Sequence, residues 1–192
     1  IIPNQNKTMP SIIQADQLKS ANGVTTYLNN GTLSNLTFPS GHIIAHATPF
    51  YDNGVTSSIT TDSTDFQESG IECAITTKES SSNSRIVCQF YTGFSRTIGS
   101  GGSFLIWTVG RATASSTTYS SATDLSDDQS SIFYPGNQGV YWAQHSTWVD
   151  VGSFSADTTY YYQVYFRALT TDSMDLVRQG GATSLIVYQV KI

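Results

Sequence analysis

Between Gly70 and Phe90 the chain reads GIECAITTKESSSNSRIVCQF, and on each side of its serine-rich middle every second residue is apolar. Ile71, Cys73 and Ile75 alternate with Glu72, Ala74 and Thr76. Ile86, Cys88 and Phe90 alternate with Val87, Gln89 and Tyr91. A period of two is that of an extended strand with one face in a core, and it leaves no room for an α-helix. Folding the chain about Ser80–Ser81 predicts a β-hairpin whose serine run is the loop, with Cys73 and Cys88 opposite each other on the apolar face. As neighbours there they are either two buried free thiols or a cross-strand disulfide. A metal site would need two more ligands at metal spacing, and none stands nearby.

The same period recurs along the chain. SFLIWTVGRAT places Leu105, Trp107 and Val109 on one face and Phe104 and Ile106 on the other. TTYYYQVYFRA places Tyr160, Tyr162, Val164 and Phe166 against Tyr161, Tyr165 and Arg167. TSLIVYQVKI places Ile186, Tyr188, Val190 and Ile192 against Leu185 and Val187. Short strands between Gly, Asn, Asp and Ser clusters point to an all-β antiparallel sandwich or barrel. Strands apolar on both faces are central strands, or strands whose outer face another subunit covers. One candidate helix, SIIQADQLKSANG, reads equally well as a strand and closes quickly at Gly23.

Residues 1–38 differ in texture, with Leu28, Leu33, Leu36 and Phe38 spaced through an Asn- and Gly-rich run. They read as an N-terminal arm or attachment segment ahead of a head domain spanning 39–192. The opening IIPNQNKTMP lacks the charged and apolar regions of a signal peptide, so none is expected there.

Charge narrows the functions. Asp and Glu outnumber Lys and Arg by 14 to 9, and charged residues make up 12% of the chain, with no basic cluster. A nucleic-acid partner is therefore excluded, since such partners need grouped cations to displace counterions. No apolar run is long enough to insert in a membrane as a helix. Ser, Thr, Gly and Asn fill the surface instead, a neutral hydroxyl-rich character common to extracellular and virion proteins.

Catalytic motifs are missing: there is no GxSxG, P-loop, HExxH or GxGxxG. His42 and His46 are four apart, about 13 Å along a strand, too far to share a metal. Asp124, Asp127 and Asp128 are oxygen ligands of the type calcium takes, but their spacing matches no calcium loop and they read as solvated acids. No metal and no cofactor is expected. The polar-aromatic stretch SIFYPGNQGVYWAQHSTWVD carries the candidate binding residues Tyr134, Asn137, Tyr141, Trp142 and His145. Flat rings beside amides can stack on the apolar face of a sugar while bonding its hydroxyls. The alternative is a turn whose aromatics complete the core.

Five segments together resemble a family. SIIQADQLKSANG, LTFPSGHII, TDFQESGIECAITTKESSSNSRIVCQFYTG, TWVDVGSFSADTTYYYQVYFRA and GGATSLIVYQVKI are similar to small virion proteins of tailed bacteriophages, especially aquatic ones, that serve as tail-fibre or structural proteins. The resemblance implies a jelly-roll-like β-sandwich similar to tumour-necrosis-factor and C1q heads, assembled as a homotrimer on the virion. It implies reduced cysteines, because phages assemble in the reducing bacterial cytoplasm. It brings no catalytic residues and no ligand residues. The function it implies is non-enzymatic: host-receptor adhesion at the tail, to a surface glycan or protein, with the arm holding other virion proteins. Capsid decoration or a head fibre is the alternative.

Overall fold

The computed structural model describes residues 17–19, 25–29, 32–34, 39–52, 59–96, 103–125, 130–134, 142–169, 174–177 and 183–192, with side chains over 39–50, 59–93, 105–125, 143–169 and 183–192. Two compact units divide the chain, Ile1–Phe38 and Pro39–Ile192. In the first, β1 (Gln17–Lys19), β2 (Thr25–Asn29) and β3 (Thr32–Ser34) form an antiparallel three-stranded sheet in the order β1-β2-β3. The candidate helix thus contributes a strand at Gln17–Lys19, and its other residues lie outside the described ones.

The second unit is a sandwich of two antiparallel sheets. Its strands are β4 (Ile43–His46), β5 (Phe50–Asp52), β6 (Ile59–Thr61), β7 (Gln67–Thr76), β8 (Ser84–Arg96) and β9 (Ser103–Ala112), then β10 (Thr123–Asp124), β11 (Ser130–Tyr134), β12 (Trp142–Asp150), β13 (Thr159–Ala168), β14 (Met174–Val177) and β15 (Thr183–Lys191). A 3-10 turn at Tyr119–Ser121 precedes β10. The five-stranded sheet runs β10-β9-β13-β7, with β11 also on β9. The seven-stranded sheet runs β4-β15-β8-β14-β6, with β12 also on β8 and β5 on β15. Trp142 and Leu176 both pair with Phe94, so β12 and β14 flank β8 on opposite edges. The chain changes sheet from β6 to β7, β7 to β8, β8 to β9, β11 to β12, β12 to β13 and β13 to β14. That alternation is what makes the sandwich jelly-roll-like.

The expected hairpin is therefore a corner. β7 pairs with β13, and β8 pairs with β12 and β15, so the two cysteine strands lie in different sheets. Their alternation is as read: Ile71, Cys73, Ile75, Ile86, Cys88 and Phe90 are all buried, but they face each other across the core rather than along one sheet. Both cysteines are free thiols. Cys73 Sγ donates to Leu185 O at 3.1 Å and accepts from Phe50 N at 3.2 Å, which ties β7 to the edge of the facing sheet. Burial pushes its pKa from an ordinary 9.0 up to about 11, and Glu72 adds to this against the opposing Phe50 N–H bond. Burial raises Cys88 as well, and the Asp150 charge adds to it.

A thiol whose folded pKa lies above its unfolded one stabilises the fold below the unfolded value, and that contribution fades as pH climbs through the folded value. The denaturation midpoint is thus expected to fall from pH 9 toward pH 11. At pH 8 both thiols should ignore Ellman's reagent in the native state and titrate as two per chain once unfolded. Fast native labelling would mean that the β7 edge opens readily.

The core fills from inward positions on both sheets: Leu105, Trp107 and Val109 of β9, Tyr160, Tyr162, Val164 and Phe166 of β13, Trp148 of β12, and Leu185 and Val187 of β15. Trp107 Nε1 donates across the gap to Ser146 Oγ at 3.3 Å. β7 carries a bulge where the register with β13 shifts between Gln163 and Tyr165. Gly70 takes φ +69° there, and Ser69 Oγ donates to Val164 O at 2.6 Å in place of a ladder bond.

The corner from Thr77 to Asn83 is held from two directions. Gln189, buried on the inner face of β15, accepts from Lys78 N at 2.7 Å and donates to Glu79 O and Ser84 Oγ, each at 2.7 Å. Thr77 Oγ1 donates to Ser155 O at 2.6 Å, and Ser81 N donates to Phe154 O at 3.1 Å, both in the β12–β13 corner. At the same end a buried ion pair crosses between the sheets. Arg111 Nη1 of β9 meets Asp150 Oδ2 of β12 at 2.7 Å, with side chains 9% and 1% exposed. Tyr162 OH donates to the same oxygen at 2.7 Å, and Gly152 N donates to Asp150 Oδ1 at 2.9 Å. Burial and the Asp150 charge hold the Tyr162 phenol firmly protonated.

Candidate functional site

The two sheets differ in what covers their outer faces. On the five-stranded sheet, residues 113–122 form a strap over β9 and β13. Glu72 accepts from Ser115 Oγ at 2.7 Å and Ser116 N at 2.9 Å, and Tyr165 OH donates to Thr117 O at 2.6 Å. Gly110 lies so close beneath that a Cβ there would come within 2.8 Å of Tyr165 Cε2 and 3.0 Å of Ala122 Cβ. This is why Tyr165 and Thr108, outward on their strands, are fully buried.

The seven-stranded sheet presents its outer face uncovered by the described residues of its own unit. Cross-strand pairing aligns Val149, Val87, Tyr188 and His46 in one row, Thr147, Gln89 and Ile186 in the next, and His145, Tyr91 and Ser184 in a third. Arg85, Val190 and Ile43 align in a further row beside the first. Ile43 is 57% exposed and Val149 45%, with Val151 at the margin 72% exposed. Arg85 is the charged residue among these outward positions, and its guanidinium is bonded to the carbonyls of Ser81 and Ser84. The second apolar face expected for TSLIVYQVKI is this surface, with Leu185 and Val187 as the inner face.

Beside the strap lies a cleft of about 510 Å³ lined by Thr64, Asp65, Phe66, Thr118, Tyr119, Ser120 and Arg167. Three segments remote in sequence build it: the loop before β7, the strap, and the end of β13. Arg167 lies over the Phe66 ring at 5.1 Å and donates from Nη1 to Thr64 O at 3.1 Å. Phe66 meets Tyr119 with ring centroids 4.4 Å apart, and Tyr119 meets Tyr165 edge-on at 5.3 Å. Tyr119 OH donates to Asp124 Oδ2 at 2.8 Å. Burial, then the bond to Asp124, pushes the Tyr119 phenol up to about 12. Asp124, read from the sequence as a solvated acid, also accepts from Thr108 Oγ1 at 2.7 Å and so anchors the strap.

Of the residues expected to bind from the sequence, the structure describes Tyr134 and Trp142 by backbone position alone and His145 with its side chain. Tyr134 ends β11 in one sheet, and Trp142 begins β12 in the other. Asn137 and Tyr141 lie outside the described residues. His145 is exposed on the outer face of the seven-stranded sheet, paired with Tyr91 and away from the cleft. Phe66, Tyr119 and Arg167 were missed because no two of them are near in sequence. The available signal was an aromatic ring inside the acidic loop TDSTDFQES. Among the described residues no three His, Cys, Asp or Glu gather at metal distance, and no helix is long and apolar enough to cross a membrane.

No protein-family profile matches this chain, and no curated protein matches it. Among solved structures, the chain is similar to the Eiger TNF from S. frugiperda, at 12% identity and a TM-score of 0.36, over 77% of this chain and 93% of that one.

Proposed function

We propose that this chain is a non-enzymatic virion surface protein, a homotrimeric tail-fibre or tail-tip module for host adhesion. The observation that carries this reading is the contrast between the two sheets. Among the described residues, one outer face carries Val87, Val149, Ile186, Tyr188, Val190 and Ile43 interspersed with Thr, Gln, Ser and His and has no covering segment of its own unit; the other is strapped over by its own chain and bears an aromatic cleft. A subunit that packs its open sheet against its copies and turns the strapped sheet outward would bury the exposed valines and leave the cleft free. Exposed apolar surface of this kind marks an interface, and closed symmetric assemblies are the usual solution for identical chains. The resemblance to phage virion proteins supports the same assignment, and repeated weak sites on a trimer would gain by avidity.

The capsid-decoration reading is favoured by one observation, that residues 1–38 form a separate compact unit with its own sheet. Such a piece could clasp a neighbouring capsomer. Immunogold labelling of intact virions decides between them: label at the tail end supports adhesion, and label over the head supports decoration.

Assembly is tested separately. Sedimentation should give three times the 20.8 kDa chain mass. Val149→Lys with Tyr188→Glu places charges in the centre of the open face and is expected to yield monomer that still melts cooperatively. Unchanged mass in that variant, or a wild-type monomer at micromolar concentration, would remove the trimer.

A further inference from the structure

The cleft beside the strap has a chemistry that selects among ligands. Its volume, about 510 Å³, sits inside the roughly 300–1,000 Å³ range of small-ligand sites. Its rings are fixed before anything binds. Phe66 is held between Arg167 and Tyr119, and Tyr119 is wedged against Tyr165 and tethered through its hydroxyl to Asp124. Ligand contact with them would cost little side-chain entropy, which is the usual penalty on a surface site. The loop beneath is also fixed, with Ser63 Oγ accepting from Asp65 N at 3.1 Å and donating to Asp65 O at 3.0 Å.

Thr64, Asp65, Thr118 and Ser120 line the cleft with these rings, and the Thr118 and Ser120 hydroxyls lie 3.4 Å from each other. A carboxylate accepts from two adjacent hydroxyls at once, and serine and threonine hydroxyls both donate and accept. The ligand that answers an acceptor pair, hydroxyl partners and an apolar ring surface is a polyol with one C–H-rich face. The charges decide its ionisation. Arg167 is bonded to Thr64 O and lies over Phe66, while Asp65 stands in the cleft and Asp124 behind it. An anionic sugar would meet the Asp65 carboxylate, with the Asp124 charge behind Tyr119, against one guanidinium already bonded to Thr64 O.

We propose that the cleft formed by Phe66, Tyr119, Arg167 and Asp65 binds an uncharged saccharide of one or a few pyranose units. The proposal rests on the adhesion reading and names the ligand class that reading lacks. On a glycan array of neutral hexose and N-acetylhexosamine oligosaccharides printed beside sialylated and uronic-acid ones, the purified full chain should bind members of the neutral set. Ser120→Lys and Thr118→Lys fill the cleft from exposed positions without entering the core, and each should weaken that binding at least tenfold. Asp65→Asn should weaken it too, and Tyr119→Ala should abolish it.

No binding to neutral saccharides, binding restricted to acidic ones, or binding unchanged by Ser120→Lys would each overturn the proposal. Failure of the adhesion reading is distinguishable. Virions carrying Ser120→Lys that attach normally to host cells, with label at the tail, place adhesion on another surface. Head label with intact saccharide binding by the isolated chain overturns adhesion and leaves the cleft a saccharide site.

Discussion

Asp150→Ala should cost about 3–5 kcal/mol of stability, because it leaves the Arg111 guanidinium buried without its counter-charge. At about 2–4 °C per kcal/mol for a chain of this size, the melting temperature should drop by roughly 6–20 °C. Three groups lose their acceptor at once: Arg111 Nη1, Tyr162 OH and Gly152 N. The paired replacement Arg111→Met with Asp150→Leu should recover most of the loss, since removing both charges leaves nothing to desolvate. Thermal melts of the two variants followed by circular dichroism make the comparison. A loss below about 1 kcal/mol for Asp150→Ala would mean that water reaches Arg111 through the small cleft beside it, which Thr113, Ser121, Thr123 and Ser153 help line.

Gln189→Leu should cost about 3 kcal/mol, since it orphans the Lys78 N–H and the Glu79 carbonyl at about 1–3 kcal/mol for each group that stays dry, while the Ser84 hydroxyl loses a donor but keeps its own bond to Ser80 O. The damage should concentrate at the corner. Hydrogen exchange at the Lys78 amide and proteolysis within residues 77–83 should both accelerate, while amides of β9 and β13 keep their protection. Uniform loss of protection would instead make this corner part of the cooperative core. The ion pair of Lys191 Nζ with Glu79 Oε1 at 2.8 Å, with side chains 18% and 33% exposed, adds too little to hold the corner by itself.

Much of the sandwich was legible in the sequence, because a period of two states which side of a strand is apolar. It does so for Ile71, Cys73 and Ile75 and for Ile86, Cys88 and Phe90. What the period does not carry is the partner. Two inward-facing runs joined by a short polar loop look alike whether they pair in one sheet or face each other from two, so the corner at Thr77–Asn83 was read as a hairpin. In TSLIVYQVKI both faces are apolar, and nothing local marks Gln189 as an inward residue; its partners come from a corner far away in the chain. The cleft was hidden for a related reason. An aromatic-amide run such as YPGNQGVYW concentrates its signal in one stretch, whereas Phe66, Tyr119 and Arg167 become neighbours only through the crossing of strap, loop and strand.

The crossing of the chain between sheets has a kinetic consequence. Each sheet is assembled from strands that are distant in sequence: the bond from Lys78 N to Gln189 spans 111 residues, and that from Cys73 to Leu185 spans 112. Such loops must close before any contact rewards them, so folding is expected on the slow side, roughly milliseconds to seconds. Until β15 inserts between β4 and β8, both of those strands offer bare backbone to any passing edge. Crowded synthesis of many copies would turn that interval into a choice between pairing within the chain and pairing between chains.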